Sequence, residues 1–117
     1  MVQTKSKIIK NIKVGPNYYK MALDASVIVK HSLPGQFLNV RVSEKYEPLL
    51  RRPFSIHRVL DSKIEILYEV IGKGTELLSH KKAGGKLDVL GPLGNGFDFN
   101  SKPMKKAILV AGGMGVA

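Results

Sequence analysis

The sequence contains no cysteine and no tryptophan. Without cysteine the chain can form neither disulfides nor thiolate zinc sites, and it cannot hold a cysteine-ligated iron–sulfur cluster. Long apolar runs are also missing: Ala107 to Ala111 is among the longest, whereas a helix that crosses a bilayer needs about 20 residues. No apolar stretch like that of a secretory signal follows the N-terminal lysines, so we expect a cytoplasmic protein.

Negative charge is scarce as well. The 117 residues include 19 Lys and Arg but only 9 Asp and Glu, which gives a net charge of +10. Such a surface favours anionic partners, for example nucleic acid, an acidic protein or a phosphate-bearing cofactor. The basic residues are spread along the chain and form only pairs such as Arg51-Arg52, unlike a concentrated nucleic-acid-binding arm. A small basic barrel that binds nucleic acid stays open as an alternative from a different functional class.

Short β-prone segments separated by turn residues predict an all-β fold, a small antiparallel barrel. The predicted strands cover residues 8–14, 18–23, 37–42, 53–60, 63–71 and 87–90. A single helix is predicted between Gly74 and Gly84, with Thr75 as its N-cap. The sequence therefore predicts a barrel with one short helix.

The C-terminal segment departs from this pattern. The run from Ala107 to Ala111 is typical of a buried parallel strand, and a glycine-rich loop follows it. The loop glycines are Gly112, Gly113 and Gly115. A strand followed by such a loop opens the nucleotide-binding unit of α/β proteins. We expect a barrel domain at residues 1–102 and the first strand and loop of a truncated α/β nucleotide-binding domain at residues 103–117.

Two segments carry residues suited to a phosphorylated aromatic ligand. Arg51 to Ile56 combines guanidinium groups, a proline, an aromatic ring and a hydroxyl, and arginine offers phosphate a planar pair of donors. A plainer interpretation is a surface arginine pair beside a core Phe54. Gly72 to Thr75 opens the predicted helix, where backbone N–H groups and the helix dipole attract phosphate. A glycine turn of this kind opens many helices, so each segment alone is a weak signal.

Other constellations indicate no catalytic residue and no metal site. His31, His57 and His80 lie far apart in the sequence and lack the spacing of metal ligands. Asp88 and Asp98 are better explained as sheet-end and turn residues than as an acid–base pair. The sequence therefore assigns no catalytic residue and no metal ligand.

Four motifs, taken together and in order, resemble a known family. They are RRPFSI, YEVIGKGTELLS, LDVLGPLGNGFD and AILVAGGMGVA, and the resemblance covers nearly the whole chain from about Ile8. The chain resembles the electron-transfer subunits of class B dihydroorotate dehydrogenases, flavoproteins of the ferredoxin-NADP reductase superfamily. The resemblance implies a six-stranded antiparallel Greek-key barrel that binds FAD, then an NAD-binding domain and a cysteine-rich segment that holds a [2Fe-2S] cluster.

The resemblance also implies an oxidoreductase partner. In that family, electrons pass between NAD and an FMN-containing catalytic subunit that oxidises dihydroorotate to orotate in pyrimidine biosynthesis. An alternative keeps the FAD but places the chain in a related ferredoxin- or sulfide-linked NAD(P)H oxidoreductase; RRPFSI and GPLGNGF favour the dihydroorotate system. Most of the NAD domain and all cysteines are absent from this sequence. We therefore expect FAD binding, but neither a cluster nor full turnover from this chain alone.

A cofactor site follows from the same resemblance. Arg52 matches the residue at the FAD pyrophosphate, and Ser55 matches the residue near the flavin ring edge. Superfamily members often carry Tyr where this chain has Phe54, which removes a hydroxyl contact and keeps the ring. The implied cofactor residues are Arg52, Pro53, Phe54, Ser55, Leu67, Tyr68, Glu69, Gly74 and Thr75. The glycines Gly112, Gly113 and Gly115 match the start of the pyridine-nucleotide loop.

Overall fold

The computed structural model describes residues 1–46 and 50–117. Seven strands of this part of the chain form one sheet: β1 (Val2–Gly15), β2 (Tyr18–Asp24), β3 (Phe37–Arg41), β4 (Arg52–Ser55), β5 (Arg58–Leu60), β6 (Lys63–Glu69) and β7 (Lys86–Leu93). Two α-helices, α1 (Ser26–Val29) and α2 (Lys73–Ser79), and a 3₁₀ turn at Gly113–Val116 accompany the sheet. Across the described ranges, no helix has both the length and the apolar character needed to span a membrane.

The sheet is antiparallel throughout and curls on itself. Its strand order is β4-β3-β7-β1-β2-β6-β5, so β4 and β5 form its two edges. Only Ile56 and His57 separate these edge strands in the sequence. The Ile56 N–H donates to the Gln36 carbonyl beside β3, and the His57 N–H donates to the Glu65 carbonyl in β6. Because only two residues link its opposite edges, the sheet must curl. The predicted antiparallel β-fold is therefore confirmed as a curled sheet.

The core fills the inside of this curl. Along β6, Ile64, Ile66 and Tyr68 are buried on one face, because successive side chains of a strand point to opposite sides of a sheet. The same cluster contains Ile8, Met21, Leu23, Leu38, Val40, Phe54, Leu78, Leu87 and Val89. Burial of these apolar side chains, which come from every strand except β5 and from α2, holds the curl together.

The sequence predictions for residues 53–60 and for the number of helices were wrong. The strand predicted at residues 53–60 is divided into β4 and β5, because its middle residues hydrogen-bond to opposite edges of the sheet. The structure also contains a second helix, α1, within a β-branched run. The N–H groups of Ile28 and Val29 both bond to the Ala25 carbonyl, and this turn places Ile28 completely inside the core. Burial of one large side chain outweighs the weak helix propensity of β-branched residues here.

The strand predicted at residues 107–111 does not form in this structure. Ile108, Leu109 and Val110 are 90–93% exposed and belong to no strand. No described strand lies beside them to share backbone hydrogen bonds, and a parallel strand is stable only in such a ladder. The boundary between domains at residue 102 stays a prediction.

Candidate functional site

A cavity of about 510 Å³ lies between β4, β6 and the first turn of α2. It brings together all nine residues that the resemblance implies for the cofactor: Arg52, Pro53, Phe54, Ser55, Leu67, Tyr68, Glu69, Gly74 and Thr75. The remaining lining residues are Ile71, Gly72, Lys73, Met114 and Ala117. Residues from distant parts of the sequence therefore share one concave surface, as expected of a binding site.

Strand β4 supplies one wall of the cavity. Phe54 is buried, and its ring meets the Tyr68 ring edge-to-face with centroids 5.8 Å apart. Pro53 and Ser55, its neighbours in the strand, are exposed. Strand alternation thus fixes the aromatic ring in the core and leaves the Ser55 hydroxyl accessible to a ligand.

Arg52 and Gly74 join this wall to the helix. The Arg52 guanidinium donates to the Leu50 carbonyl at 2.7 Å and packs directly on the Gly74 backbone. A Cβ atom at Gly74 would lie 2.9 Å from Arg52 Nε, which is closer than real Cβ contacts. Glycine is therefore required at this position for the guanidinium to lie against the helix.

The adjacent arginine has a different environment. One guanidinium nitrogen of Arg51 lies 2.8 Å from Asp88 Oδ1, and the other donates to the Asp88 carbonyl. Gln3 Nε2 donates to the same carboxylate at 3.0 Å. Burial of Asp88 raises its pKa, but these hydrogen bonds and the charges of Arg51 and Arg41 outweigh burial and hold the pKa below its ordinary value. Arg51 thus forms a structural ion pair with Asp88. Of the two neighbouring arginines, only Arg52 lines the cavity.

Thr75 organises the entrance to α2. Its Oγ1 accepts hydrogen bonds from the Ile71 and Gly72 N–H groups at 3.0 and 3.2 Å, and its O–H is 3.1 Å from the Gly72 carbonyl. Because the helix begins at Lys73, Thr75 is the third helical residue, and the prediction that it is the N-cap was wrong. The hydroxyl fixes the preceding loop instead.

Tyr68 anchors the wall formed by β6. Its ring stacks on Tyr19 with centroids 5.7 Å apart, and its hydroxyl donates to Asn11 Oδ1 at 2.8 Å. Burial raises the pKa of Tyr68 to about 12, so the phenol keeps its proton at neutral pH. Leu67 and Glu69, on either side of Tyr68, are half-buried at the same wall.

The C-terminal turn closes one side of the cavity. Gly115 and Ala117 donate to the carbonyls of Gly112 and Met114, and this turn places Met114 and Ala117 in the lining. Gly113 has a φ of +56°, a left-handed conformation that favours glycine. The three predicted loop glycines do not line the cavity themselves. No motif in the sequence signalled Met114 and Ala117, because their role depends on how the chain folds back.

The cavity combines apolar surface with a few charged groups. Phe54, Leu67 and Ile71 supply apolar lining, whereas Arg52 and Lys73 add positive charge near the first turn of α2. Within residues 1–46 and 50–117, no three His, Asp or Glu side chains lie close enough to hold a metal ion. This arrangement can bind a molecule that has both a flat apolar part and an anionic part.

Curated relatives align along almost the whole chain, although no protein-family model matches it. The chain is 45% identical over 114 residues to the dihydroorotate dehydrogenase B (NAD(+)) electron transfer subunit of Desulforamulus reducens. It is 46% identical to the subunits of the same name from Bacillus velezensis and Clostridium acetobutylicum. These alignments cover 96, 91 and 97% of this chain and 43, 43 and 44% of the relatives.

Solved structures agree with the fold. A structure of the NADH-dependent reduced ferredoxin-NADP oxidoreductase, described for flavin-based electron bifurcation, matches 81% of this chain and 34% of its own, with a TM-score of 0.74 and 28% identity. A ferredoxin reductase in carbazole 1,9a-dioxygenase matches 98% of this chain and 36% of its own, with a TM-score of 0.81 and 21% identity, which shows the fold alone. The chain spans slightly under half the length of the curated relatives above. Over that part of their length, the chain is similar to the electron transfer subunits of dihydroorotate dehydrogenase B.

Proposed function

We propose that this chain forms the FAD-binding part of an electron transfer subunit. In this proposal, the whole protein passes electrons between NAD and an FMN-containing catalytic subunit that oxidises dihydroorotate in pyrimidine biosynthesis. The observation that supports it most is the single cavity lined by all nine residues that the sequence motifs assign to FAD. The names of the curated relatives support the same role.

The cavity suits the two chemically different parts of FAD. Arg52, held against Gly74, offers donors to the pyrophosphate beside the first turn of α2. The apolar side chains of Phe54 and Leu67 suit an aromatic ring, and the exposed Ser55 hydroxyl can hydrogen-bond at the ring edge. When bound, FAD supplies the redox chemistry. The chain's own residues bind it, orient it and exclude water from it.

The finer architecture belongs to the same proposal. In this proposal β4 and β5 are one bent strand of a six-stranded Greek-key barrel, and the strand order of the sheet supports it. Residues 103–117 are then the start of a nucleotide-binding domain, with Gly112, Gly113 and Gly115 in its loop. NAD and the [2Fe-2S] cluster belong to the whole protein in this scheme.

A titration of the purified chain with FAD tests the proposal directly. We expect saturable changes in flavin absorption and fluorescence, with FAD preferred over FMN because only FAD carries the full pyrophosphate. Absence of FAD binding by a chain that circular dichroism shows to be folded would count against a self-sufficient site. Repeating the titration with a longer protein that includes the nucleotide-binding domain would then decide whether FAD binds at all.

Arg52→Ala tests the predicted pyrophosphate contact. Loss of a charge-assisted contact in a partly desolvated site costs about 2 to 4 kcal/mol, so the Kd for FAD should rise about 30- to 1,000-fold. Arg41→Ala is the matched control, because Arg41 is an arginine of the same sheet that lies outside the cavity lining. Equal affinities of the two variants for FAD would remove Arg52 from the site.

A further inference from the structure

Asn11, a residue of β1 outside the cavity lining, connects two walls of the cavity. Its Oδ1 accepts the hydrogen bond of the Tyr68 hydroxyl at 2.8 Å. Its Nδ2 donates to the carbonyls of Leu78 and Lys81, at 2.9 and 3.1 Å, at the end of α2. A third carbonyl, that of Ser79, lies 3.4 Å from the same nitrogen. One side-chain amide thus uses both its acceptor and its donors to join three elements.

The contact with α2 adds a side-chain donor at the end of the helix, where the Leu78 carbonyl also accepts the Lys81 N–H at 3.1 Å. The last carbonyls of a helix have no intrahelical partner, and basic side chains often bond to them there. The last turn of α2 contains no basic residue. Asn11 fills this role from a neighbouring strand and ties the end of α2 to the sheet.

The contact with Tyr68 fixes the opposite wall. The Tyr68 ring is held by stacking on Tyr19 and by the edge of Phe54, so its hydroxyl has little freedom to find another partner. Removing Asn11 would leave this hydroxyl unsatisfied in a buried environment.

We propose that Asn11 is a positioning residue that sets the spacing between the Tyr68 wall and the first turn of α2. The helix has only 7 residues, which is a rod of about 10 Å, so displacement of its end also displaces Gly74 and Thr75 at its start. This inference deepens the proposed function and rests on it for its effect on FAD. The coupling between Asn11 and the start of α2 is a property of the chain itself.

The test uses three substitutions that break different bonds. Asn11→Ala removes both contacts. Asn11→Asp keeps an acceptor for Tyr68 but sets a carboxylate against the carbonyls of α2. Tyr68→Phe keeps the ring and removes only its hydroxyl. Val14→Ala is the control, because Val14 is an exposed residue of the same strand.

The first measurement needs no cofactor. The Ile71 and Gly72 amides bond to Thr75 Oγ1, and the Glu76 amide bonds to the Gly72 carbonyl, so their hydrogen exchange reports on the start of α2. It should be faster in Asn11→Ala and Asn11→Asp than in Val14→Ala, although Asn11 contacts the other end of the helix. Unchanged exchange at those amides in a folded Asn11 variant would overturn the inference.

The second measurement is the Kd for FAD of the folded variants, determined beside their free energies of unfolding. We expect Asn11→Ala to raise the Kd for FAD about 5- to 30-fold. The double variant Asn11→Ala, Tyr68→Phe should have nearly the same Kd as Asn11→Ala, because both substitutions remove the hydrogen bond between these two side chains. If Asn11 only stabilises the fold, its substitution would lower the free energy of unfolding and leave the Kd unchanged, which would overturn the inference.

Should Asn11→Ala fail to fold, Asn11→Asp and Tyr68→Phe decide by the same criteria. Failure of the unmodified chain to bind FAD would refute the proposed function, whereas the exchange measurement would still decide the role of Asn11.

Discussion

Arg51 and Arg52 are neighbours in the sequence, yet each has its own partners. Arg51 pairs with Asp88, which lies in β7, and Arg52 packs on Gly74 in α2. The motif RRPFSI predicted that an arginine would lie at the site, and the resemblance selected Arg52. The partner of Arg51 was not predictable, because Asp88 is 37 residues away and its approach depends on the strand order. Local motifs therefore indicate site residues better than they indicate the ion pairs that support them.

Gly74→Ala should separate binding from stability. Alanine improves helix propensity by up to about 1 kcal/mol, but its Cβ would displace the flexible Arg52 side chain. We expect a thermal unfolding midpoint equal to or above that of the unmodified chain, together with weaker FAD binding in a fluorescence titration. Glu76→Ala is the control, since Glu76 is an exposed residue of the same helix outside the cavity lining. Unchanged affinity in Gly74→Ala would contradict the close packing of Arg52 on this glycine.

The Asp88 ion pair makes stability depend on pH. Because the pKa of Asp88 is lower in the folded chain, its stabilisation is complete above the ordinary carboxyl pKa and is lost as pH falls through the lowered value. Asp88→Asn should lower the free energy of unfolding by about 1 to 3 kcal/mol at pH 7 and flatten its decline in acid. Urea unfolding at several pH values measures both effects. If the free energy of unfolding of Asp88→Asn falls as steeply in acid as that of the unmodified chain, the pH dependence belongs to other groups. Asp24→Asn, at an exposed strand end, is the control.

At the scale of elements, hydrophobic pattern and turn residues predicted most strands near their true places. The hairpin of β5 and β6 has its turn at Asp61 and Ser62 as predicted, and Asp61 adopts a φ of +53°. The errors lie where tertiary contacts decide. Nothing local in residues 53–60 shows that one half pairs with β3 and the other with β6. Likewise, propensity alone does not reveal that Ile28 enters the core as part of a helical turn.

Ile28→Ala tests the reason given for α1. Truncating a fully buried isoleucine removes apolar burial and leaves a cavity, so the free energy of unfolding should fall by about 2 to 5 kcal/mol. Val27→Ala, at a residue that is 50% exposed in the same turn, should change it far less. Chemical denaturation of both variants gives the comparison. Similar losses from the two substitutions would mean that the turn is not held by Ile28.

At the scale of the whole molecule, the chain combines a high positive charge with one strongly apolar exposed segment. The net charge of +10 opposes close approach of two copies, whereas Ile108, Leu109 and Val110 present apolar side chains to solvent. Salt weakens the repulsion between copies without weakening the apolar attraction. Self-association should therefore increase with salt.

Replacing these three residues by serine should suppress that association. We expect light scattering of the unmodified chain to rise with salt and with protein concentration, and to rise much less in the Ile108→Ser, Leu109→Ser, Val110→Ser variant. The free energy of unfolding should hardly change, because none of the three side chains is buried. Equal scattering from both proteins would place the associating surface elsewhere.

The place of β7 in the sheet has a consequence for how the polypeptide acquires its fold during synthesis. β7 lies between β3 and β1, and the register pairs Val2 with Gly91. Before residues 86–93 have been made, β3 and β1 have no strand between them, and the two sides of the sheet are joined only through the link of Ile56 and His57 between β4 and β5. Closing the curl requires contacts between distant parts of the sequence, which form slowly. A nascent chain that has not yet reached β7 therefore exposes the unpaired edges of β3 and β1, which are open to pairing with other chains.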